Sequence, residues 1–230
     1  LSGTVTITAV SGVATFTNLS INKTGTGYTL RASSGSLATA ACSTFAITPA
    51  VKSVLVFNTH PSASTVAGSS FNTQPVVSIQ DTYGNTVTAA TDSVGIAIQT
   101  NPGSGTLSGT LTISAVSGVA TFTNLSIDKT GTGYTLRASS GSLTTADSST
   151  FDIVTAVKAK VVFNTHPSVS TVAGSNFNTQ PVVSIQDTYG NTITTATDSV
   201  VITIQTNPGS GTLSGTVTIT AVSGVATFTN

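Results

Sequence analysis

The 230-residue sequence has no methionine, no glutamate and no tryptophan, and only one cysteine, Cys42. A lone cysteine excludes an intrachain disulfide. Without glutamate, seven aspartates are the whole acidic inventory for metal binding or acid–base work. Charged residues make up 6% of the chain, against roughly 25% in ordinary soluble domains, and the net charge is zero. Such a balance steers the chain toward neither nucleic acid nor an anionic membrane surface. No apolar run approaches the ~20 residues of a membrane helix, so no membrane insertion is expected within this stretch. No basic segment followed by an apolar one opens the sequence. The missing methionine marks it as a window from a longer chain, with any leader expected upstream.

Hydroxyl residues fill the space that charges usually take: 47 Thr and 32 Ser, about a third of the chain. Disorder requires low charge compensation together with low hydrophobicity. Here 38% of residues are hydrophobic and they alternate with polar ones, so a core can form. Thr is β-branched and favours strands. A neutral, hydroxyl-rich surface suits an extracellular location. The sequons at Asn18, Asn22 and Asn124 permit N-glycosylation there.

Internal repetition sets the organisation. Leu1-Ser-Gly-Thr-Val returns as Leu107-Ser-Gly-Thr-Leu and Leu213-Ser-Gly-Thr-Val, a period of 106 residues. Residues 50–124 and 156–230 align without gaps and differ at 11 of 75 positions; residues 1–49 and 107–155 differ at 9 of 49. A period of this length fits one small domain rather than a solenoid coil. The expected division is a C-terminal part of one repeat at 1–49, a complete repeat at 50–155 and an N-terminal part of a third at 156–230.

Within a repeat the period is two. Ser53–Phe57, Val76–Gln80, Val94–Ile98, Leu111–Ala115, Val119–Thr123, Tyr134–Ala138 and Thr150–Val154 are short β-branched or aromatic runs, the pattern of half-buried strands. Between them lie turn sequences such as Asp81-Thr-Tyr-Gly-Asn85, Asn101-Pro-Gly-Ser-Gly105 and Ser117-Gly118. No stretch carries a helical stripe. Seven or more short strands with frequent turns predict an all-β, mainly antiparallel sandwich. Tyr134, two residues before Leu136, fits the corner that enters the penultimate strand of an immunoglobulin sandwich, where the hydroxyl bonds back to the preceding turn. Tyr28 and Leu30 repeat the arrangement.

With these residues in view the chain resembles the bacterial immunoglobulin-like tandem repeats of large cell-surface proteins, of the invasin and intimin type. The matching segments are Val56–Ser62, Gln74–Val87, Gly105–Gly109, Gly118–Phe122 and Gly131–Leu136. The resemblance implies surface display, end-to-end stacking into a rod, and adhesion or filament formation. It implies no catalytic residues and no cofactor.

Reactive side chains are few, and the repeat tests each of them. Nucleophilic catalysis needs a Ser or Cys with His and a carboxylate in reach. His60 and His166 are the only histidines, at equivalent His-Pro steps, and read as loop residues. Cys42 becomes Ser148 in the next copy, which argues against a nucleophile. Asp147 and Asp152 become Ala41 and Ala46, and Asp128 becomes Asn22; only Asp81/Asp187 and Asp92/Asp198 recur. No enzyme is expected. Calcium needs six to eight oxygens, and Asp81, Asn85, Asp187 and Asn191 are the weak candidates, with a turn-capping role as the alternative. Lys52 and Lys158 could form an isopeptide bond but read as surface lysines. Tyr83 and Tyr189 are the loop aromatics that a glycan or a host or neighbour-cell protein would contact.

Few residues separate one repeat from the next, Phe45–Lys52 and Phe151–Lys158, with no Gly/Ser linker. Pro49 stiffens the first. The expected function is a structural stalk or filament of stacked domains outside the cell, with an adhesin module as the alternative. The expected partners are neighbouring repeats or identical chains, stacked end to end or joined by strand exchange.

Overall fold

A computed structural model describes residues 1–230. The chain is all-β: 20 short strands and no helix, hence no helix long and apolar enough to cross a membrane. Strand pairings are antiparallel throughout except one.

Residues 52–154 form a β-sandwich. One sheet runs in the order Thr112–Ser114, Ser93–Thr100, Gly131–Ser139, Phe151–Val154 and Ser64–Val66, with Ala146–Asp147 also pairing to Gly131–Ser139. The other runs Val119–Thr121, Val76–Asp81, Lys52–Thr59. The period of two puts Leu55 and Phe57, Val77 and Ile79, Val94 and Ile96, and Tyr134, Leu136 and Ala138 on facing inner surfaces. Together with Phe71, Phe122, Leu125, Ile127, Phe151 and Ile153 they form a continuous core. Burial of a branched side chain of this kind stabilises by roughly 1.5–3 kcal/mol, and the core supplies most of what orders the unit.

Four short strands escape the sequence pattern: Ser64–Val66, Leu107–Ser108, Ser126–Ile127 and Ala146–Asp147. Each has two or three residues, too short to show a period. Ser64–Val66 is held by the one parallel pairing, with Asp152–Val154 at the far end of the repeat. Turn chemistry behaves as its residues dictate. Ser117 (φ 51°) and Gly118 (φ 76°) both take positive φ, closing a tight hairpin between Val116 and Val119.

The flanking pieces use the same strands with less around them. In 156–230, Lys160–Thr165, Val182–Gln186 and Val225–Thr227 make one sheet, and Ser199–Val201 pairs with Thr218–Thr220. Their core holds eight buried residues, among them Val183, Ile185, Val200 and Phe228. In 1–49, Gly25–Tyr28 pairs with Phe45–Ile47 and Arg31–Ala32 with Ala40–Ala41. No residue of 1–49 is buried.

Candidate functional site: the junction between repeats

The loop Asp81–Asn85 is built around one carboxylate. Asp81 ends a central strand, and its side chain is almost wholly buried. Its Oδ1 accepts from the amides of Tyr83 (2.9 Å) and Asn85 (2.9 Å), and from Asn85 Nδ2 (3.2 Å). Its Oδ2 accepts from Asn85 Nδ2 (2.9 Å) and from the amide of Ala50 (2.9 Å), the residue after Pro49 in the connecting segment. The loop closes with Asn85 C=O accepting from the Asp81 amide (2.9 Å), while Gly84 takes φ 74°. Glycine is required there because an L side chain is strained in that region.

Burial pushes the Asp81 carboxyl up, but the Asn85 side chain and the amides of Asn85, Ala50 and Tyr83 outweigh it and hold the pKa at about 2, below the usual 3.8. Asp187 is lowered by the corresponding Asn191, Ala156 and Tyr189 donors against the same burial. A depressed folded-state pKa gives stability that is complete above the unfolded value and lost as pH falls through the folded one. Thermal melts are therefore expected to hold steady down to about pH 4 and drop between pH 4 and 2. Asp81→Asn with Asp187→Asn is expected to flatten part of that drop. An identical acid limb in the variant would contradict this role.

Asn85 carries the loop across to the preceding repeat. Its Oδ1 accepts from the Thr24 amide (3.1 Å) and its Nδ2 donates to Asn22 C=O (2.9 Å). Lys23 Nζ donates to Tyr83 C=O. The second junction repeats every contact 106 residues on. Asn191 Oδ1 accepts from the Thr130 amide (3.1 Å), Asn191 Nδ2 donates to Asp128 C=O (2.9 Å), and Lys129 Nζ donates to Tyr189 C=O. Ala156 donates to Asp187 Oδ2 (3.0 Å). The exchange of Asn22 for Asp128 is harmless here because only the main-chain oxygen is used.

A further contact, at the second junction, involves a glycine. Gly68 sits at the end of Ser64–Val66 with φ 75°, and a Cβ there would lie 1.9 Å from Tyr189 Cζ and 2.0 Å from its hydroxyl oxygen. The Tyr189 ring occupies the space that any side chain at position 68 would need. Tyr134 anchors the other side. Its ring is fully buried and stacks on Phe151 (centroids 5.8 Å), and its hydroxyl donates to Lys129 C=O (2.9 Å). That hydroxyl bond fixes the turn whose Asp128, Lys129 and Thr130 grip the next repeat. Tyr28 reaches Lys23 C=O (3.0 Å) in the same way.

The residues singled out from the sequence thus fall into different places. Asp81 with Asn85, and Asp187 with Asn191, form two separate hydrogen-bonded clamps in which protein donors occupy the carboxylate oxygens. No group of three or more His, Cys, Asp or Glu side chains converges anywhere in the chain. Both tyrosines lie at junctions and stay partly open, Tyr83 53% and Tyr189 41% exposed, with the Tyr189 ring against Gly68. Lys52 pairs with Asp92 and Lys158 with Asp198, the same ion pair in both copies. His60 stacks on Phe57 and accepts from the Ser149 amide (2.9 Å). Asn18 and Asn124 are exposed, each accepting from and donating to the threonine of a Gly-Thr step, Thr4 and Thr110. Asn22 is exposed and contributes its carbonyl to the clamp. The sequence reading missed Lys23/Lys129 and Gly68. Their retention at equivalent positions was the available signal, but equivalence says nothing about contact between different repeats.

No protein-family model and no curated protein matches the chain. Among 14 solved chains that match is surface layer protein SbsC, domains 4–9, at 17% identity and a TM-score of 0.32. The match covers 75% of this chain and 26% of that one.

Proposed function

We propose that this chain is a segment of an extracellular structural stalk, in which immunoglobulin-like sandwiches stack end to end with a fixed angle between neighbours. The observation that carries the reading is the recurrence of one clamp at both junctions: Asn85 on Asn22 and Thr24, and Asn191 on Asp128 and Thr130. A spacer of equivalent units needs equivalent joints, and a short connecting segment tied at Ala50 and Ala156 leaves little slack for bending. The Tyr134 corner supports the immunoglobulin-like assignment. The low charge and abundant hydroxyls support the location outside the cell.

Rigidity is the testable property. Small-angle scattering of a chain with several repeats is expected to give an extended rod whose longest dimension grows linearly with repeat number. Lys129→Ala, which removes only the bond to Tyr189 C=O, is expected to shorten the mean dimension and broaden its distribution, while the melting of each sandwich stays within a few degrees. A wild-type chain as flexible as the variant would refute the stalk.

A further inference from the structure

In the complete unit Thr112–Ser114 is the edge strand of its sheet, beside Ser93–Thr100. Every strand of that sheet lies within residues 52–154, so the edge belongs to the fold itself. The ladder extends one residue beyond the strand at each end. The Ile96 amide donates to Leu111 C=O (2.8 Å) and the Ala115 amide to Asp92 C=O (3.0 Å), with Ile113 opposite Val94 between them. Hydrogen bonding alternates along an antiparallel edge. Leu111, Ile113 and Ala115 turn their main-chain groups toward the sheet, so Thr112 and Ser114 turn theirs away, and both residues are exposed. Two N–H donors and two C=O acceptors thus stand in a row on the open side.

Other edges of the sandwich are closed. Thr144 covers Lys52–Thr59, its amide donating to Ser53 C=O (3.0 Å) and its C=O accepting from the Leu55 amide (2.9 Å). Ser64–Val66 turns back on itself, with the Ser69 amide on Val66 C=O (3.0 Å). Exposed edges are commonly guarded by a charge, a proline or a bulge. Residues 110–116, Thr-Leu-Thr-Ile-Ser-Ala-Val, contain neither charge nor proline, and their pairing shows no register shift. The next copy presents the same edge. Thr218–Thr220 pairs with Ser199–Val201, Val217 C=O accepts from the Ile202 amide (2.9 Å), and Thr218 and Thr220 are exposed.

We propose that this edge pairs with the same edge of a second copy of the chain, antiparallel about a twofold axis at Ile113, and joins two stalks side by side. Thr112 of each chain faces Ser114 of the other, and each pair exchanges two N–H···O=C bonds. The groups themselves select this partner and register, because the twofold image matches every free donor with a free acceptor. Centring the axis on Thr112 instead would call on the Thr110 amide, which already donates to Asn124 Oδ1 (2.8 Å). The lack of charge on the strand removes the repulsion that would hold two identical edges apart. The contact is isologous, so each edge is used up by one partner. Further repeats add further edges to the same pair of chains. The inference rests on the tandem-sandwich reading of the stalk, but the two fail separately: rod stiffness is a property of one chain and pairing a property of two.

A charge swap across the expected register tests it. Sedimentation of the 230-residue chain is expected to show a mean mass that rises above 22.8 kDa with concentration. Thr112→Asp, Ser114→Asp, Thr218→Asp and Thr220→Asp together set like charges opposite one another and are expected to hold the mass at 22.8 kDa. Thr112→Lys, Ser114→Asp, Thr218→Lys and Thr220→Asp are expected to restore association, now in a form that high salt dissolves. All four positions are exposed, so the melt of the complete unit is expected to stay within a few degrees in both variants. A monomer at every concentration overturns the proposal and leaves the edge to a strand of another protein. Association that the aspartates do not reduce overturns it too, as does an aspartate effect that the lysine–aspartate swap fails to reverse.

Discussion

Tyr134→Ala is expected to cost about 3–5 kcal/mol, the range for truncating a buried aromatic, and to unfold the complete unit at temperatures where the wild type is intact. The side chain is fully buried between the sheets, stacked on Phe151, so its removal leaves a cavity that Leu136 and Phe151 cannot fill without moving strands. Gly103 and Gly105 crowd the hydroxyl, where a Cβ would lie 2.5 and 2.9 Å from it, so the loop is already shaped around the ring. Tyr134→Phe separates the two roles of the residue. It keeps the stacking and loses the bond to Lys129 C=O, for an expected cost of about 1–3 kcal/mol if that carbonyl stays dry. Because the Lys129 turn grips Asn191 and Tyr189, Tyr134→Phe is also expected to loosen the second junction. Urea unfolding measures the first effect and scattering the second. A Phe variant with wild-type stability and wild-type rod length would show that the hydroxyl bond contributes nothing.

Gly68→Ala is expected to release the joint between the second and third units. Two effects combine at this position. A left-handed φ costs an alanine about 1–2 kcal/mol, and the added methyl falls inside the Tyr189 ring. Gly174 supplies the control, with φ 81° and nothing within 4 Å, so Gly174→Ala carries the strain without the collision. The difference between the two variants measures the tyrosine contact, expected at about 1–2 kcal/mol within the usual range for touching residues. In a Tyr189→Ala background the difference between the two glycine variants is expected to shrink by the tyrosine contact. An unchanged difference there would remove Tyr189 from the account.

Much of the unit was legible because its signals are local. Alternation in Ser53–Phe57, Val76–Gln80 and Val94–Ile98 placed three of the longer strands to within a few residues, and the Tyr134–Leu136 spacing anticipated a hydroxyl that reaches back to the preceding turn. Leu111–Ala115 and Val119–Thr123 are shorter in the structure, Thr112–Ser114 and Val119–Thr121, with single backbone bonds running on at Leu111, Ala115 and Phe122. The Asp81-Thr-Tyr-Gly-Asn85 pattern announced a turn capped by Asp81, and the turn is there.

The period of 106 residues, the absence of a recurring reactive cluster and the identity of the core positions are properties of the sequence alone, because repetition and alternation are written along the chain. Tertiary structure decided what the recurring loop residues touch. Asn85 finds Asn22 and Thr24, and Tyr189 covers Gly68, across 61 residues or more of chain and a change of repeat. A near-identical repeat makes every copy of a residue look alike in sequence. Only the packing of one unit on the next gives the Tyr189 ring a neighbour in Gly68 that the Tyr83 ring lacks, and only folding surrounds the buried Asp81 carboxylate with the amides of Ala50, Tyr83 and Asn85.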